Sequence, residues 1–234
     1  MRQSEAALTK TEPSPPGAED VRTNERVRAY IEIADSYLEA IGYTEHGFRH
    51  VSIVSEGAGG ILASLGLPER DVELARVAGL LHDIGNMAGR VQHHRLGALL
   101  AKEVMLDMGF PLREIGRVMA AIVIHEEDEG VMQFDPVAAA LVIADKSDVH
   151  RSRVRTSGSI KEDIHDRVNY AATYASVSAD PVERAVTLSL TIDTTISQVI
   201  EYFEIFLSRM GACRKAAQSL GCEFRIVINN QRLG

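Results

Sequence analysis

The sequence predicts a mostly α fold, a helical bundle over residues 24–158 followed by a small α+β module over residues 159–234. Three observations carry this. Apolar residues make up 45% of the chain and aromatics only 5%, with no Trp, so the core is built from Leu, Val, Ile and Ala, which favours helix. Through the first two thirds of the chain the apolar positions recur at i, i+3, i+4, i+7. Near the C-terminus the period switches to two: Val186, Leu188, Leu190 and Ile192 alternate with Thr187, Ser189 and Thr191, the mark of a half-buried strand.

Residues 1–23 read as a disordered tail, because Thr9 to Gly17 offers nothing to bury and several helix breakers. A first helix begins at Asn24, carries Val27, Tyr30, Ile31, Ile33, Ala34, Tyr37, Leu38 and Ile41 near i, i+3, i+4, i+7 spacing, and ends at Gly42. A second runs from His46 to Leu65 and stops at Gly66-Leu67-Pro68. A third spans Asp71 to Ile84. A fourth covers His93 to Met108 and ends at Gly109. Pro111 opens a fifth, from Leu112 to His125, and Glu126 to Gly130 form a charged loop. A sixth starts where Asp135 can cap and Pro136 can occupy the first turn, and runs to Val149. Thr156 to Ser159 read as a linker. Two strands, over 169–177 and 186–192, form a hairpin about Ala179-Asp180-Pro181. Thr195 to Gln198 have capping-box spacing, and the helix behind them places Ile196, Val199, Ile200, Phe203, Phe206, Leu207 and Met210 on one face. Gly221 ends it, and Phe224, Ile226 and Ile228 make a last strand.

The net charge of −8 removes any diffuse attraction to nucleic acid or anionic lipid, so no extended nucleic acid and no membrane partner is expected. A phosphorylated substrate would have to be held by local cations. The two cysteines, Cys213 and Cys222, lie in no metal or redox motif and read as small buried residues of a reducing compartment. No leader-type apolar segment and no membrane span is visible, so a cytoplasmic protein is expected. An exposed strand edge in the C-terminal module invites pairing across chains, and a homo-oligomer is expected.

The chemistry gathers on Gly79-Leu80-Leu81-His82-Asp83-Ile84-Gly85-Asn86. An apolar run delivers a histidine and an aspartate side by side, and a buried carboxylate is costly unless paired or bound to metal. Further candidates sit on different helices or at helix ends: His50 on the second, His93 and His94 at the start of the fourth, His125 at the end of the fifth, Asp145 late on the sixth. A helical bundle builds a metal site in its core in this way, and imidazole with carboxylate suits Fe, Mn, Co, Ni or Zn. Asp148 rivals Asp145. His46 shares a face with His50 but reads as exposed, and is left out. Gly57 to Gly60 are not a phosphate loop, lacking the preceding strand and following lysine.

The ordered pattern His50, His82-Asp83, Asp145 resembles the H…HD…D signature of the HD superfamily of metal-dependent phosphohydrolases. Leu80 to Gly85 are close to the common LLHDIGK form, with Asn86 in place of the lysine, and Val142 to Lys146 resemble the segment carrying the last ligand. His93 to Ala98 and Ile124-His125-Glu126 resemble histidine segments of HD-GYP phosphodiesterases and RNase Y-like enzymes, and the spacing to Gly97 selects His93 over His94. The GYP motif itself is absent. The resemblance, over residues 25–155, implies a binuclear site of two divalent ions: one on His50, His82, Asp83 and Asp145, the other on a bridging Asp83 with His93 and His125. It implies attack of a metal-bound hydroxide on phosphorus, with Asp83 and Lys146 as catalytic residues. Lys146, Arg151 and Arg153 are the nearest candidates for holding phosphate, with Arg90 and Arg95 as others. The substrate expected is a small phosphorylated compound, a nucleotide-type phosphomonoester or phosphodiester. Two rival readings are a diiron, O₂-dependent oxygenase of the same family and a non-catalytic metal- or nucleotide-binding module.

Overall fold

The computed structural model describes residues 15–126, 134–155 and 163–233. The first fourteen residues of the expected tail, most of the charged loop after Glu126, and the linker at 156–159 with the domain boundary in it lie outside the described residues.

The expected architecture is observed, a helical domain followed by a small four-stranded sheet with its own helices. One part of the expected tail is different. Residues Ala18–Thr23 form a short helix, α1, whose Ala18 and Val21 are buried. Glu73 holds its start, accepting from the backbone N–H of Ala18 at 3.0 Å. The breakers Pro13 to Gly17 hid two apolar positions one turn apart.

Helix α2 (Glu25–Ala40) is capped by Asn24, whose side chain accepts from the N–H groups of Arg26 and Val27, and the chain leaves it at Gly42 with φ +85°. Helices α3 (Phe48–Ser64) and α4 (Glu69–Leu81) pack as an antiparallel pair. The chain then makes a 3₁₀ turn over Ile84–Ala88, so the expected third helix ends at Leu81, before its histidine and aspartate. Helices α5 (His93–Asp107) and α6 (Leu112–Ile124) follow. Helix α7 (Pro136–Ser147) is capped by Asp135 and has Pro136 in its first turn, as its sequence signals. Every residue from Val137 to Ala144 is buried, because α3, α4, α6 and a later helix surround it.

Helix α8 (Ile164–Ala171), capped by Asp163, was not expected. It runs directly into strand β1 (Ala172–Asp180), so the strand begins three residues after Asn169. Strand β2 (Ala185–Ile192) pairs antiparallel with β1, Val177 opposite Leu188. Helix α9 (Val199–Ser219) crosses over to β3 (Glu223–Ile228), which lies parallel to β2. A fourth strand, β4 (Gln231–Leu233), returns antiparallel through Asn229 and Asn230. Both asparagines have positive φ, as a two-residue hairpin turn requires. The strand order is β1-β2-β3-β4. Helix α9 lies against α7, and β1 against α3, so one apolar core runs from Ala18 to Ile228.

Candidate metal centre

The site forms where five helices end or begin together. His50 lies in the first turn of α3, His82 follows the last residue of α4, His93 is the first residue of α5, His125 follows the last residue of α6, and Asp145 lies in the last turn of α7. Two glycines allow these ends to meet. A Cβ on Gly79 would lie 2.5 Å from the Ser55 Cα, and one on Gly85 would lie within 2.5 Å of the Gly97 nitrogen. Backbone therefore packs on backbone between α3 and α4, and between the 3₁₀ turn and α5. That approach brings the His50 and His82 Nε2 atoms to 3.2 Å.

The donor atoms converge in two groups. His50 Nε2 is 3.4 Å from Asp145 Oδ1 and 3.6 Å from Asp83 Oδ2, and His82 Nε2 is 3.3 Å from Asp83 Oδ2. On the other side, His93 Nε2 is 3.2 Å and His125 Nε2 3.9 Å from Asp83 Oδ1. Asp83 thus presents one oxygen to each pair of histidines. All four histidines are buried.

The second nitrogen of each ring is tied down. His50 Nδ1 donates to Asp148 Oδ2 at 2.7 Å, His82 Nδ1 to the Gly79 carbonyl at 2.8 Å, His93 Nδ1 to the Arg90 carbonyl at 3.1 Å, and His125 Nδ1 to the Ile122 carbonyl. Hydrogen bonding assigns the proton to Nδ1, which leaves Nε2 with its lone pair directed inward. Four imidazole nitrogens and two carboxylates converging on one another are a donor set in need of a cation. A divalent transition metal ion fits it, and the anchoring of the far ring nitrogen is what metal-binding histidines require.

The titration behaviour expresses the same demand. Burial lowers the pKa of His82, but Asp83 and Asp145 outweigh it and raise the pKa to about 10. Both carboxyls are held well below the usual carboxylate range despite burial, by His82 beside Asp83 and by His50 and His82 beside Asp145. Burial, and then the charge on His82, pushes His125 down to about 3. Positive charge is drawn to the point between the aspartates, where a bound cation would take the proton's place.

The structure brings together His50, His82, Asp83, His93, His125 and Asp145. His94 lies outside the cluster. Asp148 is not a rival donor to Asp145. It is buried, takes the His50 Nδ1–H, and is gripped through both oxygens by Arg49 at 2.9 and 3.0 Å. Its carboxyl is held far below the ordinary range by His50 and Arg153, which overcome the effect of burial. Asn86 donates its side-chain amide to Asp83 Oδ1 at 2.9 Å, so it orients the carboxylate where the lysine of the common motif would stand.

A cavity of about 180 Å³ opens onto Asp83, His125 and Asp145. Lys146 and Arg153 line it. Lys146 also donates to the His125 carbonyl at 2.7 Å and so pins the end of α6. Arg151 does not reach the cavity; its guanidinium lies over the Tyr170 ring at 5.2 Å. Arg151 and Arg153 share one 3₁₀ turn, over Arg151–Arg153, and it sends them in different directions. Arg95 is exposed and absent from the cavity wall. Arg90 is present, bonded to Glu126 at 2.9 Å. Four lining residues had not been expected, Glu126, Ser208, His46 and Arg209. His46 packs edge-on against His50, with ring centroids 5.2 Å apart, so its i, i+4 spacing to His50 was the available signal. Burial, then Arg153, holds its pKa well below the usual value, so it is neutral. Arg209 arrives from α9, and no sequence pattern near the metal motif pointed to it.

Residues 47–149 match the family model of the HD domain, so the chain carries that domain, and the match spans all six convergent residues. The chain is 27% identical over 182 residues to an uncharacterized protein of Methanocaldococcus jannaschii. That similarity covers 69% of this chain and 66% of the relative, just under two thirds of its length. It is also similar to the crystal structure of a "predicted HD superfamily hydrolase" from an uncultured Thermotogales bacterium, with 24% identity and a TM-score of 0.41, over 56% of this chain and 73% of the other. Among the described residues no helix is long and apolar enough to cross a membrane.

Proposed function

We propose that the protein hydrolyses a phosphoester, a nucleotide-type phosphomonoester or phosphodiester, at a site that holds two divalent transition metal ions. The observation that carries this reading is the placement of Asp83, one oxygen toward His50 and His82 and the other toward His93 and His125. His50, His82, Asp83 and Asp145 would hold one ion. Asp83, His93 and His125 would hold the other, and Glu126 lies close enough to join them. Bound metal supplies Lewis acidity, lowering the pKa of a water and neutralising phosphoryl oxygens.

The chain's own residues prepare that chemistry. Asp148 fixes the His50 ring, Asn86 fixes the Asp83 carboxylate, and Lys146 fixes the backbone at His125. Each removes a freedom that the site would otherwise lose at the moment of reaction. Lys146 and Arg153 face the same small cavity and offer positive charge to phosphoryl oxygens. Release of phosphate from nucleoside monophosphates, and of nucleotide or nucleoside from cyclic phosphates and dinucleotides, with Mn²⁺, Fe²⁺ or Co²⁺ added, tests the reading. Activity in the wild-type protein that disappears in His82→Ala and Asp83→Ala is expected. Full activity in either variant would contradict the assignment.

A further inference from the structure

The metal cavity is not closed. It adjoins a second, larger one of about 430 Å³, and His46, Arg90, Arg153 and Arg209 line both. Three guanidinium groups therefore surround a neck between an inner metal-facing cavity and an outer chamber. They differ in what they already hold. Arg90 is bonded to Glu126. Arg153 is 4% exposed and donates through Nε to the Glu45 carbonyl at 3.1 Å and through Nη1 to the Asp148 carbonyl at 2.9 Å. Its Nη2 is buried with no hydrogen-bond partner. A buried, unsatisfied guanidinium nitrogen is costly, and a ligand oxygen is the natural acceptor. Arg209 stacks on Phe206, 4.6 Å from the ring centroid, and has no carboxylate within ion-pair distance among the described residues.

The outer chamber has a different character. Its volume falls in the range of small-molecule pockets, roughly 300 Å³ and upward. Tyr43 and Phe206 give it aromatic surface, while Asp163, Asp166 and Asn169 on the α8 side give it acceptors. Carboxylates on that wall disfavour a second phosphate and favour hydroxyl or amine donors.

We infer that the C-terminal module completes the substrate site. Arg209, together with Arg153, holds the substrate's phosphate at the neck, and the outer chamber receives an uncharged organic part that bears hydroxyl or amino groups. This rests on the phosphoester reading above. It makes Arg209 a specificity-determining residue that lies outside the matched HD domain.

Calorimetry on the full-length, Mn²⁺-loaded protein tests it, with inorganic phosphate, adenosine 5′-monophosphate and adenosine 5′-triphosphate as probes and turnover followed in parallel. Arg209→Gln should weaken phosphate and monophosphate binding about tenfold or more, with metal content unchanged, and Arg209→Lys should recover part of the loss. The triphosphate should bind about tenfold more weakly than the monophosphate, and Asp166→Lys should narrow that gap. Unchanged phosphate affinity in Arg209→Gln would overturn the role of Arg209 while leaving phosphoester hydrolysis standing. A triphosphate that binds more tightly than the monophosphate would overturn the assignment of the outer chamber. Wild-type protein that neither binds phosphate nor hydrolyses any phosphoester would overturn this inference and the reading beneath it together.

Discussion

The inner and outer ends of the cavity are built on opposite principles. At the inner end three donors are fixed twice: His50 by α3 and by Asp148, His82 by α4 and by the Gly79 carbonyl, Asp83 by its turn and by Asn86. Glycine-mediated backbone contact leaves no slack between the helices that carry them. At the outer end, Arg209 reaches in from a helix on the far side of the sequence and rests on an aromatic ring. Metal coordination tolerates little displacement, which fits proposed ligands that stand on packed helix ends. An organic group varies from substrate to substrate, and the surface that meets it can be supplied by a separate module.

Removing an inner donor should have the largest effect. His82→Ala and Asp83→Ala each delete a group that faces several others, so bound metal and activity should both fall below detection while the helical circular dichroism is kept. Retained metal in either variant would break the distinction between a rigid inner end and an adaptable outer one. Gly79→Ala comes next. Its Cβ would meet the backbone of Ser55, which cannot turn aside, so a loss of about 1–3 kcal/mol in urea denaturation is expected. An unchanged midpoint would show that the α3–α4 approach has room to spare.

Asp148→Asn touches only the support of His50. The amide keeps the size and loses the charge, so metal affinity should drop about 10- to 100-fold with little change in fold. The smallest effect should come far from both ends, at Glu73, which holds α1. Its carboxyl is half-buried, which raises its pKa, but the Ala18 N–H and Arg76 outweigh this and bring it below its ordinary value of 4.5. A depressed folded pKa means that the stabilisation is present above pH 4.5 and is lost as the pH falls through the folded value. Acidification, or Glu73→Gln at neutral pH, should therefore loosen α1 in hydrogen exchange by less than about 1 kcal/mol and leave metal content alone.

The inner end was largely legible in the sequence because its signals are local. His82-Asp83 after an apolar run, Asp145 in a buried helix and His93 four residues before Gly97 are short patterns tied to a helix end. The architecture followed from periodicity, and the switch at Val186 placed β2 correctly. What escaped depended on geometry over long separations or on directions within a turn. Asp148 reads as a rival ligand in the sequence because spacing alone cannot say whether a carboxylate faces a metal or an imidazole Nδ1. Arg151 and Arg153 look equivalent in sequence, yet only Arg153 reaches the cavity. Arg209 is separated from Asp145 by the whole α8–β1–β2 segment, and an arginine in an amphipathic helix carries no mark of its destination. Helix α8 was missed because its short apolar face merges with the strand that follows, and β4 because its asparagine turn was not read as a hairpin.

The central claim, that these six residues hold divalent metal between them, is tested most directly by the metal content of the purified protein, measured by inductively coupled plasma mass spectrometry on the wild type and on His82→Ala. The account predicts two divalent transition metal ions per chain in the wild type and their loss in the variant. A wild-type protein that carries no transition metal, and takes up none on dialysis against Mn²⁺, Fe²⁺, Co²⁺, Ni²⁺ or Zn²⁺, would contradict it.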